Sequence, residues 1–80
     1  MNAEIRRLVA EHAGLAVDVE TLSDDASLYE AGMTSHATVN LMLALEASFD
    51  IEFPDSMLKR GVFESIATIS MTLSELQSPV

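Results

Sequence analysis

Two hydroxyl side chains stand next to each other in GMTSHATVN, on Thr34 and Ser35, just ahead of a long apolar run. The first turn of a helix leaves four backbone N–H groups unpaired, and a side-chain oxygen at its entry accepts from one of them. Thr34 or Ser35 can supply that oxygen, so the pair leaves a second hydroxyl over. This spare hydroxyl sits where a helix dipole favours a phosphate, and it is the first candidate for function. It has no visible means of acting as a nucleophile by itself, because no base or triad pattern lies near it. AGMTS lacks the Gly-x-Ser-x-Gly elbow of a hydrolase, and neither His12 nor His36 can be set beside Ser35 as its base. No catalytic residue is assigned.

Other chemistries are excluded by composition. The chain has no cysteine, which removes a thiol nucleophile, disulfides and thiolate metal sites. Asp18, Glu20, Asp24 and Asp25 match no calcium-loop spacing and read as a solvated face, and His12, on an apolar stripe, reads as a packed or half-buried residue at the core edge. No metal site is expected. Thirteen acidic residues against four basic ones give a net charge of −9. With no basic stripe to offset it, this charge excludes nucleic acid as a partner. The acidity either steers the chain toward basic protein surfaces or only keeps a small domain soluble. MNAEIRRLVAEHAG holds no apolar stretch long enough for a signal peptide or membrane span, so a cytoplasmic protein is expected.

The elements that must position the hydroxyls follow from periodicity. Eighty residues make a single domain, 1–80. A first helix is predicted over about residues 3–13, with Asn2 as its cap, Ile5, Leu8 and Val9 on its apolar stripe, and Gly14 as a left-handed stop. Residues 15–33 lose the helical period and read as a long loop pinned by Leu15, Val17, Leu22 and Leu28. Within it Ser27 and Glu30 form a capping box for one short turn that Gly32 ends. The second helix should span about Ser35 to Phe49. Thr38, Leu41, Met42, Leu45 and Phe49 line its core side, while Val39 and Leu43 fall on another side in line with His36. In a domain this small that second apolar side is better suited to a partner than to burial. Asp55 after Pro54 caps a short third helix through about Arg60, which Gly61 ends. A last helix carries Ile66, Ile69, Leu73 and Leu76. Ser65 and Thr68 both qualify as its cap, and Ser78-Pro79-Val80 closes it. The fold class is all-α, a bundle of three main helices plus one short helix.

LYEAGMTSHATVNLMLALEASFDIEFPD, with a weaker continuation in ATISMTLSEL, resembles the acyl carrier protein family over most of residues 28–76. The spacing from Gly32 through Ser35 to Leu45-Glu46, Phe49 and Pro54-Asp55 matches without a gap. In that family the serine opening the second helix carries a 4'-phosphopantetheine arm, and the resemblance puts it at Ser35. It implies that a phosphopantetheinyl transferase moves the arm from coenzyme A to Ser35 with a divalent metal assisting, after which cargo rides as a thioester on the arm's thiol. Docking positions implied by the family are Thr34, His36, Val39, Leu43 and Glu46. Two residues depart from the family pattern: Thr34 stands where aspartate is usual, and His36 where leucine is usual. Lys59 and Arg60 also break the acidic character that many carriers keep on the third helix.

The resemblance implies a non-catalytic carrier of acyl or aminoacyl cargo, expected as a monomer that meets a loading ligase and downstream transferases. The Thr34-Ser35-His36 variation suits a specialised partner such as an adenylating amino acid:carrier protein ligase. The alternative is an unmodified acidic helical module that binds a partner through Val39 and Leu43.

Overall fold

The structure is a computed structural model and describes residues 2–77. Three α-helices build it: α1 (Asn2–His12), α2 (Ser35–Phe49) and α3 (Ile66–Gln77), with no strand among the described residues. Their apolar stripes converge on one core, in which Ile5 and Val9 of α1, Leu41 and Leu45 of α2, and Ile69 and Leu73 of α3 are wholly buried. α1 packs on both α2 and α3. No helix among the described residues is long and apolar enough to cross a membrane.

Several expected ends and caps take a different form. Asn2 is the first residue of α1, and its side-chain amide donates to Asp24 Oδ2 at 3.3 Å. Gly14 makes the expected stop with φ +64°. The short third helix does not form as one element, and two 3-10 turns, Asp55–Met57 and Arg60–Phe63, take its place. Pro54 holds the cap position without a side-chain oxygen to offer, and Asp55 lies inside the turn that it was expected to cap. Leu58 at ψ 65° then leaves the helical region. Gly61 lies within the second turn and does not adopt a left-handed conformation, so it ends nothing. Ser65 and Thr68 turn out to cap α3 together. Ser65 Oγ accepts from Thr68 N–H and Thr68 Oγ1 accepts from Ser65 N–H, each at 3.1 Å, a reciprocal box with threonine in the place usual for glutamate. The Ser78-Pro79-Val80 stop lies outside the described residues.

The long connection between α1 and α2 is stitched down. Asp18 caps a 3-10 turn, Val19–Thr21, by accepting from Glu20 N–H. That turn buries Val19 and leaves Val17, expected as an anchor, exposed. Leu28 is fully buried, as its spacing suggested. Arg6 of α1 donates to Val19 O at 2.8 Å and to Asp24 Oδ1 at 2.7 Å. Leu28 N–H donates to Glu64 O at 2.7 Å and Ala67 N–H to Asp24 O at 2.9 Å, joining the connection to the start of α3. His12 is half-buried at the edge of the core, with Nε2 3.6 Å from Glu11 Oε2.

A polar link between α1 and α2 makes stability depend on pH. Glu4 accepts from Arg7 Nη2 at 2.7 Å and, across the helices, from Ser48 Oγ at 2.6 Å. Arg7 first and Ser48 second hold the Glu4 carboxyl at about 2, well below its ordinary 4.5. A carboxyl whose folded pKa is depressed stabilises the fold above the unfolded value and loses that contribution as protons bind. The Glu4 contribution is therefore complete above about pH 4.5 and lost between there and about pH 2. An acid titration of the urea midpoint at low salt should fall across this window, and Glu4→Gln should flatten part of the fall. Added salt should shrink the difference, because both partners of this link are well exposed. Identical titration curves for the two proteins would refute the assignment.

Candidate functional site

The hydroxyl pair resolves into two roles. Thr34 is extended at φ −91°, ψ 167°, and its Oγ1 accepts from Ala37 N–H at 3.1 Å. Its carbonyl accepts from both the N–H and the Oγ1 of Thr38, each at 2.9 Å. Thr34 is thus the cap, and Ser35 is the first helical residue, exposed, with its hydroxyl left over. Thr34→Ala should cost about 1 kcal/mol of stability, the usual worth of such a cap. Urea denaturation would measure it, and no change would mean that another group caps α2.

The chain reaches Thr34 through a fixed turn. Ser27 Oγ accepts from Glu30 N–H at 3.3 Å, and Met33 N–H donates to Leu28 O at 3.0 Å. Met33 is buried directly before the exposed pair, so the backbone is anchored one residue ahead of the cap. Gly32 holds φ +116°, and a Cβ there would sit 3.0 Å from Ala16 N. That nitrogen is itself committed, donating to Ala31 O at 2.9 Å. Glycine is required here both by its backbone angle and by the close approach.

Beside Ser35 an open cleft of about 410 Å³ runs between α2 and the residues after Met57. Thr38, Val39 and Met42 form its α2 side, and Tyr29, Leu58, Lys59, Arg60 and Phe63 form the rest. Its walls are mainly apolar, with two cations at one side. The Arg60 guanidinium lies 3.8 Å over the Tyr29 ring, and Tyr29 O–H donates to Arg60 O at 3.2 Å, so each residue fixes the other. Phe63 meets Phe53 edge to face at 5.3 Å, which roots this wall in the core.

Of the residues singled out by sequence, Thr34, Ser35, His36, Val39 and Leu43 are all exposed on α2 or at its entry. Val39 and Leu43, at 50% and 54% exposure, form the unburied apolar side of the helix. Glu46 is half-buried instead, and its Oε2 accepts from Phe53 N–H at 2.9 Å, fixing the chain after Asp50 closes α2 in a left-handed conformation. Tyr29, Leu58, Lys59 and Arg60 are cleft residues that periodicity did not single out as such. The Lys59-Arg60 pair was visible as a break in the acidic pattern, but its place beside Ser35 depends on the path of the turns.

Residues 3–76 match the family model described as phosphopantetheine attachment site. The chain is 49% identical over 73 residues to an aminoacyl carrier protein of Agrobacterium fabrum (strain C58 / ATCC 33970), covering 91% of this chain and 88% of the relative. Its fold matches, with a TM-score of 0.90 and 49% identity, a chain in the crystal structure of an engineered Bradyrhizobium japonicum glycine:[carrier protein] ligase complexed with carrier protein from Agrobacterium tumefaciens and AMP. That match covers 92% of this chain and 99% of the other. A second match, with a TM-score of 0.72 and 35% identity, is to a chain in the crystal structure of Bradyrhizobium japonicum glycine:[carrier protein] ligase complexed with glycylated carrier protein, covering 88% of this chain and 93% of that one.

Proposed function

Because the chain belongs to the phosphopantetheine attachment-site family, whose members are non-catalytic carriers with a covalent 4'-phosphopantetheine arm, we propose that Ser35 bears the arm and that the cargo is an amino acid. The observation that carries the attachment point is the division of labour at the start of α2. Thr34 takes the capping bond, and the Ser35 hydroxyl stays exposed at the positive end of a 15-residue helix.

The residues fit the group. Ser35 opens directly onto the cleft, so an attached chain has a free path away from the helix. When bound, the arm supplies a terminal thiol that holds an acid as a thioester, a group that this cysteine-free chain lacks. No base is hydrogen-bonded to Ser35 among the described residues, so a phosphopantetheinyl transferase must supply the base and the divalent metal. Ser35 Oγ forms the new bond to phosphorus as the pyrophosphate of coenzyme A breaks. Adenosine 3',5'-bisphosphate leaves, and the hydroxyl proton passes to the transferase.

The aminoacyl reading rests on the relatives, one of them an aminoacyl carrier protein and another a glycylated carrier bound to its ligase. An amino acid is small and polar and gains little from apolar shelter, in keeping with an open cleft beside the site. An adenylating amino acid:carrier protein ligase is the proposed loading partner. Thr34, His36, Val39 and Leu43 form the docking face, with Glu46 at its far end. We read the protein as a cytoplasmic monomer.

Intact-mass analysis after incubation with coenzyme A and a promiscuous transferase tests the attachment, with one added arm expected. An unchanged mass with several transferases would favour the unmodified interaction module. Hydroxylamine treatment of protein from the native cell tests the cargo. Release of an amino acid is expected, and release of a fatty acid would overturn the aminoacyl reading.

A further inference from the structure

The four basic residues of this acidic chain are used in two ways. Arg6 is paired with Asp24 at 2.7 Å, and Arg7 with Glu4 at 2.7 Å and Glu11 at 3.1 Å. Lys59 and Arg60 have no carboxylate partner among the described residues, despite thirteen acidic side chains in the sequence. Both are exposed, and both border the cleft at Ser35. Arg60 is held over the Tyr29 ring, a contact that uses no carboxylate. The helix facing them adds no negative charge nearby. From Ser35 to Leu45 no Asp or Glu occurs, and the first carboxylate, Glu46, spends an oxygen on Phe53 N–H. Exposed Val39 and Leu58 lie between, at 50% and 44% exposure, with Leu43 one turn further along α2.

We propose that this cationic, apolar face of an otherwise acidic carrier docks its loading enzyme, and that the enzyme presents an apolar centre flanked by carboxylates facing Lys59 and Arg60. The proposal rests on the carrier reading above and specifies the partner's surface. Charge complementarity decides the sign. A basic partner surface at this cleft would set its charges against two cations that have no carboxylate within 4 Å among the described residues, whereas carboxylates there gain both attraction and orientation. The net charge of −9 repels an acidic partner at long range, so the local cations select one approach. Leu58, Val39 and Leu43 supply the desolvated contact that rim charges alone do not.

Charge reversal separates the two signs. The probe is the engineered Bradyrhizobium japonicum glycine:[carrier protein] ligase whose complex holds the 49%-identical carrier, assayed for aminoacylation of arm-bearing protein over a range of carrier concentrations and salt. Lys59→Glu, which leaves the Arg60–Tyr29 contact in place, and Lys59→Glu/Arg60→Glu are compared with wild type after thermal melts confirm folding. The double variant is expected to raise KM about tenfold with kcat little changed, and the single variant to raise it less, because rim charges act mainly on encounter. The difference in KM between wild type and the double variant should shrink as salt is added, because screening weakens both the wild-type charge contacts and the variant's added repulsion. A KM that falls on reversal, or does not move, overturns the proposal, as does a wild type that this ligase neither binds nor loads. Intact mass is read first. If wild type takes no arm, the Ser35 reading fails by itself, and the same variants are then compared as unmodified protein by fluorescence anisotropy against the ligase, with the same signs deciding.

Discussion

Ser35→Ala should abolish attachment of the arm while leaving the fold unchanged. The substitution removes the one oxygen proposed to be esterified and touches no other structural role, because Thr34 supplies the cap and Ser35 is exposed. Alanine is also a good residue for a first helical turn, so the melting temperature should stay within about 2 °C of wild type. The loss should be complete, since no residual chemistry can substitute for a missing hydroxyl. Intact mass after transferase treatment is the measurement, with Thr34→Ala as its contrast: that variant loses its cap and some stability but should still accept the arm. An arm on Ser35→Ala, with Thr34→Ala refusing one, would move the attachment point to the neighbouring hydroxyl.

Gly32→Ala should have the largest effect on stability among the single changes considered. At φ +116° an L-residue is strained in any surroundings, and here its Cβ would also press on Ala16 at 3.0 Å from N and 3.4 Å from Cβ. Ala16 cannot retreat freely, because its N–H is bonded to Ala31 O. The cost is about 2–3 kcal/mol, a large part of the total for a domain of this size, and corresponds to a drop of roughly 10–20 °C in melting temperature. Gly14→Ala is the control. Gly14 also has a left-handed backbone, but a Cβ there meets nothing within 4 Å, so the loss should be clearly smaller. Equal losses at the two positions would show that backbone conformation alone, and not the contact with Ala16, sets the cost at Gly32.

The three long helices were legible because each carries an apolar stripe at the helical spacing, and a 3.6-residue period survives small errors in where an end is placed. The Val39 and Leu43 side was legible for the same reason. Short elements gave weaker signals. Asp55 after proline and a glycine six residues later look like helix punctuation, yet the intervening chain closes only three-residue rings and breaks at Leu58. Val17 and Val19 are interchangeable by spacing in an irregular stretch, and it is the turn capped by Asp18 that buries one and exposes the other. At α3 the sequence offered Ser65 and Thr68 as rival caps, where the fold uses both in one reciprocal box. The site was half legible. Adjacent hydroxyls announced a helix entry and a spare oxygen, but apart from Tyr29 the opposite wall of the cleft comes from Leu58 to Phe63, well beyond the end of α2, and no local pattern encodes that meeting.

The connection leading to Ser35 is sewn at Leu28 to Glu64 and at Asp24 to Ala67, so the proposed mounting point of the arm shares the rigidity of the far helix. A swing of that point relative to the body would have to tear these seams. How far a substrate travels between active sites is then set by the length of the tether, and a partner that grips the body fixes the pivot from which the tether is cast.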